Sequence, residues 1–446
     1  MDKERRKIGV ALSGGGYRAA AYHIGTLRAL NKLGVLNNVD VISSVSGGSI
    51  TAAYYTLNKD CYESFEKSFI KKLQTGVMKC VWLLLAFTII SIILISGVIG
   101  CAIYIKLSEI WLSVFISSLI FVCIVVYILL RWYNYMPISY IISQKYDKLF
   151  FEKKTLKDLP ESPLLTINAT NIATNLPFNF SRNYMGEYIY RIDNKSIFKA
   201  ESFPISRAVM ASSCVPYGFT PITIDKRYLI RDYTECVKQP EPPLLVDGGI
   251  YDNQGAHKLS ERKSRFHADL IIVSDAGNGE IKAAGTNNFL VTLYKTSEMM
   301  MDRIKKLQVI HNIYQGHEAH AHYAYVPLNW ECNDWLISGF IRNLKENNVH
   351  PDVWKYHGIT KSDVDNLISQ PSEELIESIT IRIKASIDWD RQEKSKPSRE
   401  SELLARQTGT NLTALSINRI NALIAHSEWM TEAQVRLYLP FLVNKK

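Results

Sequence analysis

Ile8-Gly9-Val10-Ala11-Leu12-Ser13-Gly14-Gly15-Gly16-Tyr17-Arg18 is the stretch from which the architecture can be read. Ile8 to Ser13 is short and largely apolar, the pattern of a buried strand. It runs straight into three glycines, and Ala19 to Leu33 is then rich in Ala and Leu at helical spacing, with Gly34 as a stop. Such a strand–glycine turn–helix leaves backbone N–H groups free at the positive end of a helix, with no side chain in the way. Three uses are open: cradling a phosphate, holding the oxyanion of an acyl transfer, or packing two backbones closely. No Gly-Lys-[Ser/Thr] closes the turn and the glycine spacing does not fit the dinucleotide fingerprint, so the nucleotide patterns fail.

The next strand separates the remaining uses. Val39 to Ser43 leads into Ser44-Val45-Ser46-Gly47-Gly48-Ser49, and helical character resumes from Ile50 to Leu57. This is the strand–turn–helix setting of a nucleophile elbow, with Ser46 at its tip. Ser43, Ser44 and Ser49 are rival hydroxyls, but Ser46 alone is followed directly by a glycine pair. Ser44 stands where the first glycine of G-x-S-x-G usually stands.

A serine nucleophile needs a base. Among ten histidines none is an obvious candidate. His23 reads as a packed or surface residue of the first helix. His317-Glu318-Ala319-His320-Ala321-His322 misses H-E-x-x-H, because Ala321 stands where the second ligand belongs. No metal and no cofactor is expected. Leu244-Leu245-Val246 is strand-like and ends in Asp247-Gly248-Gly249, where the glycines would let another backbone approach an aspartate at a strand end. A carboxylate with a reference pKa near ~3.9 can serve as the base only if partly desolvated or tightly bonded to Ser46. Taken alone, Asp-Gly is equally an ordinary turn.

Between Ser46 and Asp247 lies a dense apolar block. Val81 to Ile105 and Ile110 to Leu130 carry no internal charge, and each is long enough at ~1.5 Å per residue to cross about 30 Å of hydrocarbon. Lys106-Leu107-Ser108-Glu109 permits only a tight turn, so the two runs form an antiparallel hairpin. Lys71, Lys72 and Lys79 precede it and Arg131, Lys145 and Lys148 follow it, against one lysine in the turn. That bias puts both ends on the cytoplasmic side of the cytoplasmic membrane, with Trp82, Trp111, Trp132 and Tyr133 near the interfaces. The chain thus divides into a catalytic body, 1–76 with 134–446, and a transmembrane insertion, 77–133. Net charge is +9; with no nucleic-acid module signature, the expected partner is an anionic membrane surface rather than nucleic acid. Seven scattered cysteines without CxxC suit free thiols in a reducing compartment, and residues 1–12 are too charged and too briefly apolar for a signal peptide.

Gly14 to Arg18, Ser44 to Gly48 and Asp247 to Gly249 together resemble the patatin-like phospholipases. Ala208-Val209-Met210-Ala211-Ser212-Ser213-Cys214-Val215-Pro216, which looks like the family's alanine-rich helix and proline turn, and Ala169-Thr170-Asn171 extend the resemblance over Ile8 to Ser274, outside the hairpin. It implies an α/β fold, a three-layer α/β/α sandwich around a mostly parallel sheet. It also implies a Ser46–Asp247 dyad that hydrolyses acyl esters of membrane phospholipids through an acyl-enzyme. The oxyanion would be held by the Gly15 and Gly16 amides, with Gly14 and Arg18 in support. Ser44, Gly47, Gly48, Gly248 and Gly249 would shape the site. Ala19 and Ser44 replace glycines common in the family. A lipid transacylase, or a silent lipid-binding scaffold, are the alternatives. Beyond Gly277 the chain reads as helical, with a mobile loop at Asp388 to Glu402 and two short helices at Asn411 to His426 and Met430 to Leu439.

Overall fold

Strand β1 (Ile8–Leu12) is buried at all five positions, as a strand must be when both its faces are covered. The computed structural model describes residues 5–107, 110–216, 218–277, 289–309 and 322–443. The further strands are β2 (Val41–Ser44), β3 (Leu164–Asn171), β4 (Leu176–Ser181), β5 (Tyr184–Gly186), β6 (Arg191–Ile192), β7 (Lys195–Ser196), β8 (Ile222–Thr223), β9 (Leu244–Asp247), β10 (Leu270–Asp275) and β11 (His322–Pro327). Among the described residues one large sheet runs in the order β11-β10-β1-β2-β3-β4-β5, with β9 on β3 and β8 on β9. From β11 to β3 every pairing is parallel; β4, β5, β8 and β9 join antiparallel.

Alternation along the parallel strands sorts the core into two faces. Val10, Leu12, Ile42, Ile272, Ala324 and Val326 belong to the larger cluster. Their neighbours Ala11, Val41, Ile271, Val273, Tyr323 and Tyr325 belong to a smaller one with Leu259 and Phe266. Helices flank both faces, giving the three-layer α/β/α arrangement that the resemblance implies. Helices α1 (Gly16–Lys32) and α2 (Gly47–Leu57) follow the first two strands, and α3 (Tyr62–Leu73) leads to the apolar block.

Two relationships position the site. Gly9 pairs with Val41 and Leu12 with Ser44, so the glycine turn and the elbow leave the sheet side by side. Strand β3 outruns β2: Leu164 to Ile167 pair with β2, while Ala169 to Asn171 pair with β9 along the edge that β2 has vacated. Asp247, opposite Ala169, therefore arrives beside the elbow.

The apolar block forms α4 (Lys79–Leu107) and α5 (Ile110–Leu130), which pack on each other and are long and apolar enough to cross a membrane. Their side chains face outward: Ile105 is 81% and Trp111 83% exposed. Ser108 and Glu109 of the expected turn lie outside the described residues. The chain re-enters the body through α6 (Trp132–Tyr135) and α7 (Ile138–Tyr146), which packs on α8 (Ile205–Ser212). The short α9 (Gly249–Asp252) and α10 (His257–Ser260) follow β9, and α11 (Phe289–Val309) precedes β11.

The C-terminal third is helical but differs from the expected pattern. It comprises α12 (Trp335–Lys345), α13 (Pro351–Tyr356), α14 (Lys361–Ser369), α15 (Glu373–Ser386), α16 (Trp389–Lys394), α17 (Arg399–Arg406) and α18 (Ile417–Tyr438). The polar stretch from Asp388 to Glu402 is not a loop. Trp389 is buried edge-on against Trp429 at 5.8 Å, and Gln392 and Trp429 exchange two hydrogen bonds of 2.8 Å. Ser398 caps α17 through the Ser401 amide. The two short helices expected at the end are one helix, α18, whose length is used in packing along α1.

Candidate active site

Ser46 joins β2 to α2 with φ 49° and ψ −119°, a conformation that costs a residue bearing a side chain. The surroundings hold it there. Its amide donates to the Ser212 hydroxyl at 2.9 Å, and the amides of Val45 and Gly48 donate to the carbonyls of Leu12 and Ser13 at 3.0 and 3.1 Å. A Cβ on Gly47 would overlap the Gly16 carbonyl oxygen, so elbow and glycine turn meet backbone to backbone. The rival hydroxyls are engaged elsewhere. Ser44 donates to the Thr166 carbonyl, Ser49 donates to Ser44, and Ser43 accepts from the Asn168 amide. Ser44 thus makes a hydrogen bond that the family's usual glycine could not.

Asp247 ends β9 beside Ser46, and both are 7% exposed. Its amide donates to the Cys214 carbonyl at 2.8 Å, the Gly248 amide donates to the Ser212 carbonyl at 3.2 Å, and Thr170 donates to the Asp247 carbonyl at 2.9 Å. Burial pushes the carboxyl up to about 6, against the pull of hydrogen bonds from the Gly249 amide, at 2.7 Å, and from the Ser46 side chain. Gly248 has no room for a Cβ, which would overlap the Asn168 carbonyl.

The glycine turn closes the site's third side. The Gly14 amide donates to the Asn253 carbonyl at 2.9 Å and the Tyr17 amide to the Asn411 carbonyl at 2.9 Å. Between them the Gly15 and Gly16 amides have no partner among the described residues, and φ values of 142° and 59° explain the glycines. Arg18 is buried, with Nη1 donating to the Thr408 carbonyl at 3.4 Å and Nη2 beside Gly15. Of the expected turn residues, Gly15 and Gly16 offer free donors, Gly14 is spent on the Asn253 carbonyl just after α9, and Arg18 braces the turn from within.

His23, which the sequence left as a packed or surface residue, is fully buried beneath this turn. Its Nε2 lies 2.9 Å from the Ser13 carbonyl, which can only accept, so Nε2 carries the proton. Nδ1 then accepts from the Ser274 hydroxyl at 2.8 Å, and the chain continues through Thr26 to Ser427. Burial lowers its pKa to about 4, so it is a neutral strut at physiological pH. Ser212 lies within the stretch 208–216 and His23 in the first helix, but what each holds is seen only in the fold.

The hairpin's return leg reaches the same site. Thr220 donates to the Met136 carbonyl at 2.5 Å, Ser139 donates to the Thr220 carbonyl at 2.5 Å, and Cys214 Sγ lies 3.1 Å from that same oxygen. Cys214 is the residue whose carbonyl receives the Asp247 amide. Among the described residues, groupings of metal-ligating side chains lie elsewhere, at His322 with His350 and Asp352 and at Cys332 with Glu402 and His426. Residues 317–321 of the His-rich run lie outside the described residues.

A family model for the patatin-like phospholipases matches residues 10–259, more than half of the chain. The fold is similar to human GIVD cytosolic phospholipase A2, at 12% identity and a TM-score of 0.46, over 99% of this chain and 63% of that one. The same human protein in complex with methyl gamma-linolenyl fluorophosphonate and terbium chloride gives 12% identity and a TM-score of 0.43, over 99% and 60%. The chain therefore spans about three fifths of the length of these structures. VipD from Legionella pneumophila gives 13% identity and a TM-score of 0.29, over 96% of this chain and 91% of that one. No curated protein matches the sequence.

Proposed function

Because the chain belongs to the patatin-like phospholipase family, we propose that it is a membrane-anchored lipid acyl hydrolase with Ser46 as nucleophile and Asp247 as base. The observation that carries this reading is the meeting of the two side chains in one buried site, with the hydroxyl lowering the carboxyl's pKa and burial raising it to about 6. A carboxylate at that value is mostly ionised at neutral pH yet more basic than one in water.

Ser46 Oγ attacks the acyl carbonyl as its proton passes to Asp247. The oxyanion forms against the Gly15 and Gly16 amides, which have no other claim on them and need no reorganisation. Collapse expels the alcohol, which takes the proton back from Asp247 and leaves the acyl group on Ser46. Asp247 then deprotonates a water, and the same steps in reverse release the fatty acid. No histidine takes part. The substrate class is the acyl ester of membrane phospholipids, at the level of a phospholipase A or lysophospholipase.

The anchor is the α4–α5 hairpin in the cytoplasmic membrane. Its apolar outer surface supports this, and the basic residues at its two outer ends favour, by the positive-inside bias, an orientation with the catalytic body on the cytoplasmic side. Anchoring raises the effective concentration of a substrate confined to two dimensions.

The reading is tested with a fluorophosphonate probe and by lipid mass spectrometry on wild type, Ser46→Ala and Asp247→Asn. Labelling should vanish in Ser46→Ala, and free fatty acid should fall to background in both variants. Undiminished labelling of Ser46→Ala would remove the nucleophile and the proposal with it.

A further inference from the structure

We propose that Cys332, Glu402 and His426 form a three-residue zinc site that clamps the C-terminal helices against the glycine turn. Cys332 lies in the loop after β11, Glu402 on α17 and His426 on α18. The three are 0, 8 and 0% exposed, and one ligand atom from each lies within 4.8 Å of the others. Cys332 Sγ and His426 Nδ1 are 3.7 Å apart. Sulfur and nitrogen bound to one tetrahedral zinc at ~2.3 and ~2.0 Å stand roughly 3.6 Å apart, so the pair needs almost no movement to close on the ion.

The chemistry of the set agrees. His426 Nδ1 faces the sulfur, and Nε2, equally buried, has no hydrogen-bond partner among the described residues, so the ring is not committed to another acceptor. A thiolate and a carboxylate supply two negative charges to a divalent ion; Glu402 Oε1 accepts from the Cys332 amide at 3.2 Å and stands 3.9 Å from Arg406 Nη1, so Oε2 is the oxygen left for the ion. Mixed sulfur, nitrogen and oxygen donors suit zinc and exclude magnesium and calcium. Binding releases the thiol proton to solvent, and a water completes the tetrahedron. The other grouping, His322 with His350 and Asp352, is a poorer host, because His350 and Asp352 are exposed to solvent.

The location gives the ion a task. The segment between α17 and α18 carries Thr408 and Asn411, whose carbonyls accept from Arg18 Nη1 and the Tyr17 amide. An ion bound to both helices fixes the two ends of the segment against which the glycine turn is built. This rests on the C-terminal packing alone and stands apart from the hydrolase reading.

The test is made on the full-length chain in detergent, stripped of metal and titrated with cobalt(II). One equivalent should give a sulfur-to-cobalt charge-transfer band, displaced by zinc and accompanied by a rise in Tm. Cys332→Ala should lose the band while keeping a native circular-dichroism spectrum, and wild type purified without chelator should hold about one zinc per chain. A wild-type chain that takes up no cobalt overturns the proposal without any variant. A band of equal strength in Cys332→Ala, supplied by another thiol, also overturns it.

Discussion

The backbone amide of Ser46 donates to the hydroxyl of Ser212 at 2.9 Å, and that hydroxyl donates onward to the Asn168 carbonyl at 2.7 Å. The strained elbow is thus held by a side chain from another helix. Ser212→Ala leaves a buried N–H unpaired, at a cost of about 1–3 kcal/mol, and frees the nucleophile to drift. On a soluble ester, kcat should fall roughly 10- to 100-fold with KM nearly unchanged. A rise in KM at constant kcat would show that Ser212 shapes binding instead.

Activity should have an acid limb set by Asp247. The base must be ionised, so kcat/KM should rise with pH and level off above an apparent pKa of about 6. The same shift bears on stability. The folded state holds this proton more tightly than the unfolded chain, so the group's stabilising contribution is complete below about pH 4 and is lost as pH rises through about 6. At neutral pH the buried carboxylate is a burden. Asp247→Asn should therefore abolish hydrolysis and raise Tm at pH 7.5, the gain shrinking at pH 4.5; calorimetry at both values decides.

His23 should act on the oxyanion turn without touching substrate. His23→Ala removes the N–H that fixes the Ser13 carbonyl and opens a cavity, and should lower kcat roughly 10-fold or more and cost about 2–4 kcal/mol of stability. His23→Asn, which can still donate to Ser13, should recover part of the kcat. Because His23 is already neutral, neither variant should move the acid limb; a displaced limb would contradict the strut.

Replacing residues 81–130 by a short polar linker should leave hydrolysis of a soluble ester within a few-fold of wild type, while activity on phospholipid vesicles falls by roughly two orders of magnitude. The paired assays separate a tether from a folding element. Equal loss in both would mean that the return leg, through Ser139, Thr220 and Cys214, is needed to hold the catalytic strand.

The elements around the two glycine-rich turns were legible because each is written in a contiguous run: apolar strand, glycines, helix. The apolar helices were legible by length. The approach of Asp247 to Ser46 was readable only through resemblance, since it depends on β3 outrunning β2 and on β9 filling the vacant edge, a register no local pattern encodes. The tasks of Ser212 and His23 were not legible because their partners lie in other elements of the fold: Ser46 and Asn168 for one, Ser13 and Ser274 for the other. The segment from Asp388 to Glu402 misled because its polar surface hides one tryptophan, Trp389, whose burial against Trp429 decides the conformation.

The apolar pair is spliced between the elbow and every strand that completes the pocket, and this sets an order of events during synthesis. The ribosome delivers Ser46 and then the two apolar helices long before β9 and β10 emerge, so on the proposed function membrane insertion would finish while the nucleophile is still alone. On the proposed anchoring and dyad, the chain would in this way gain its base only after it has been moored. Nascent chains stalled short of Asp247 should already resist carbonate extraction yet remain unreactive toward a fluorophosphonate, and reactivity in such chains would refute that sequence of assembly.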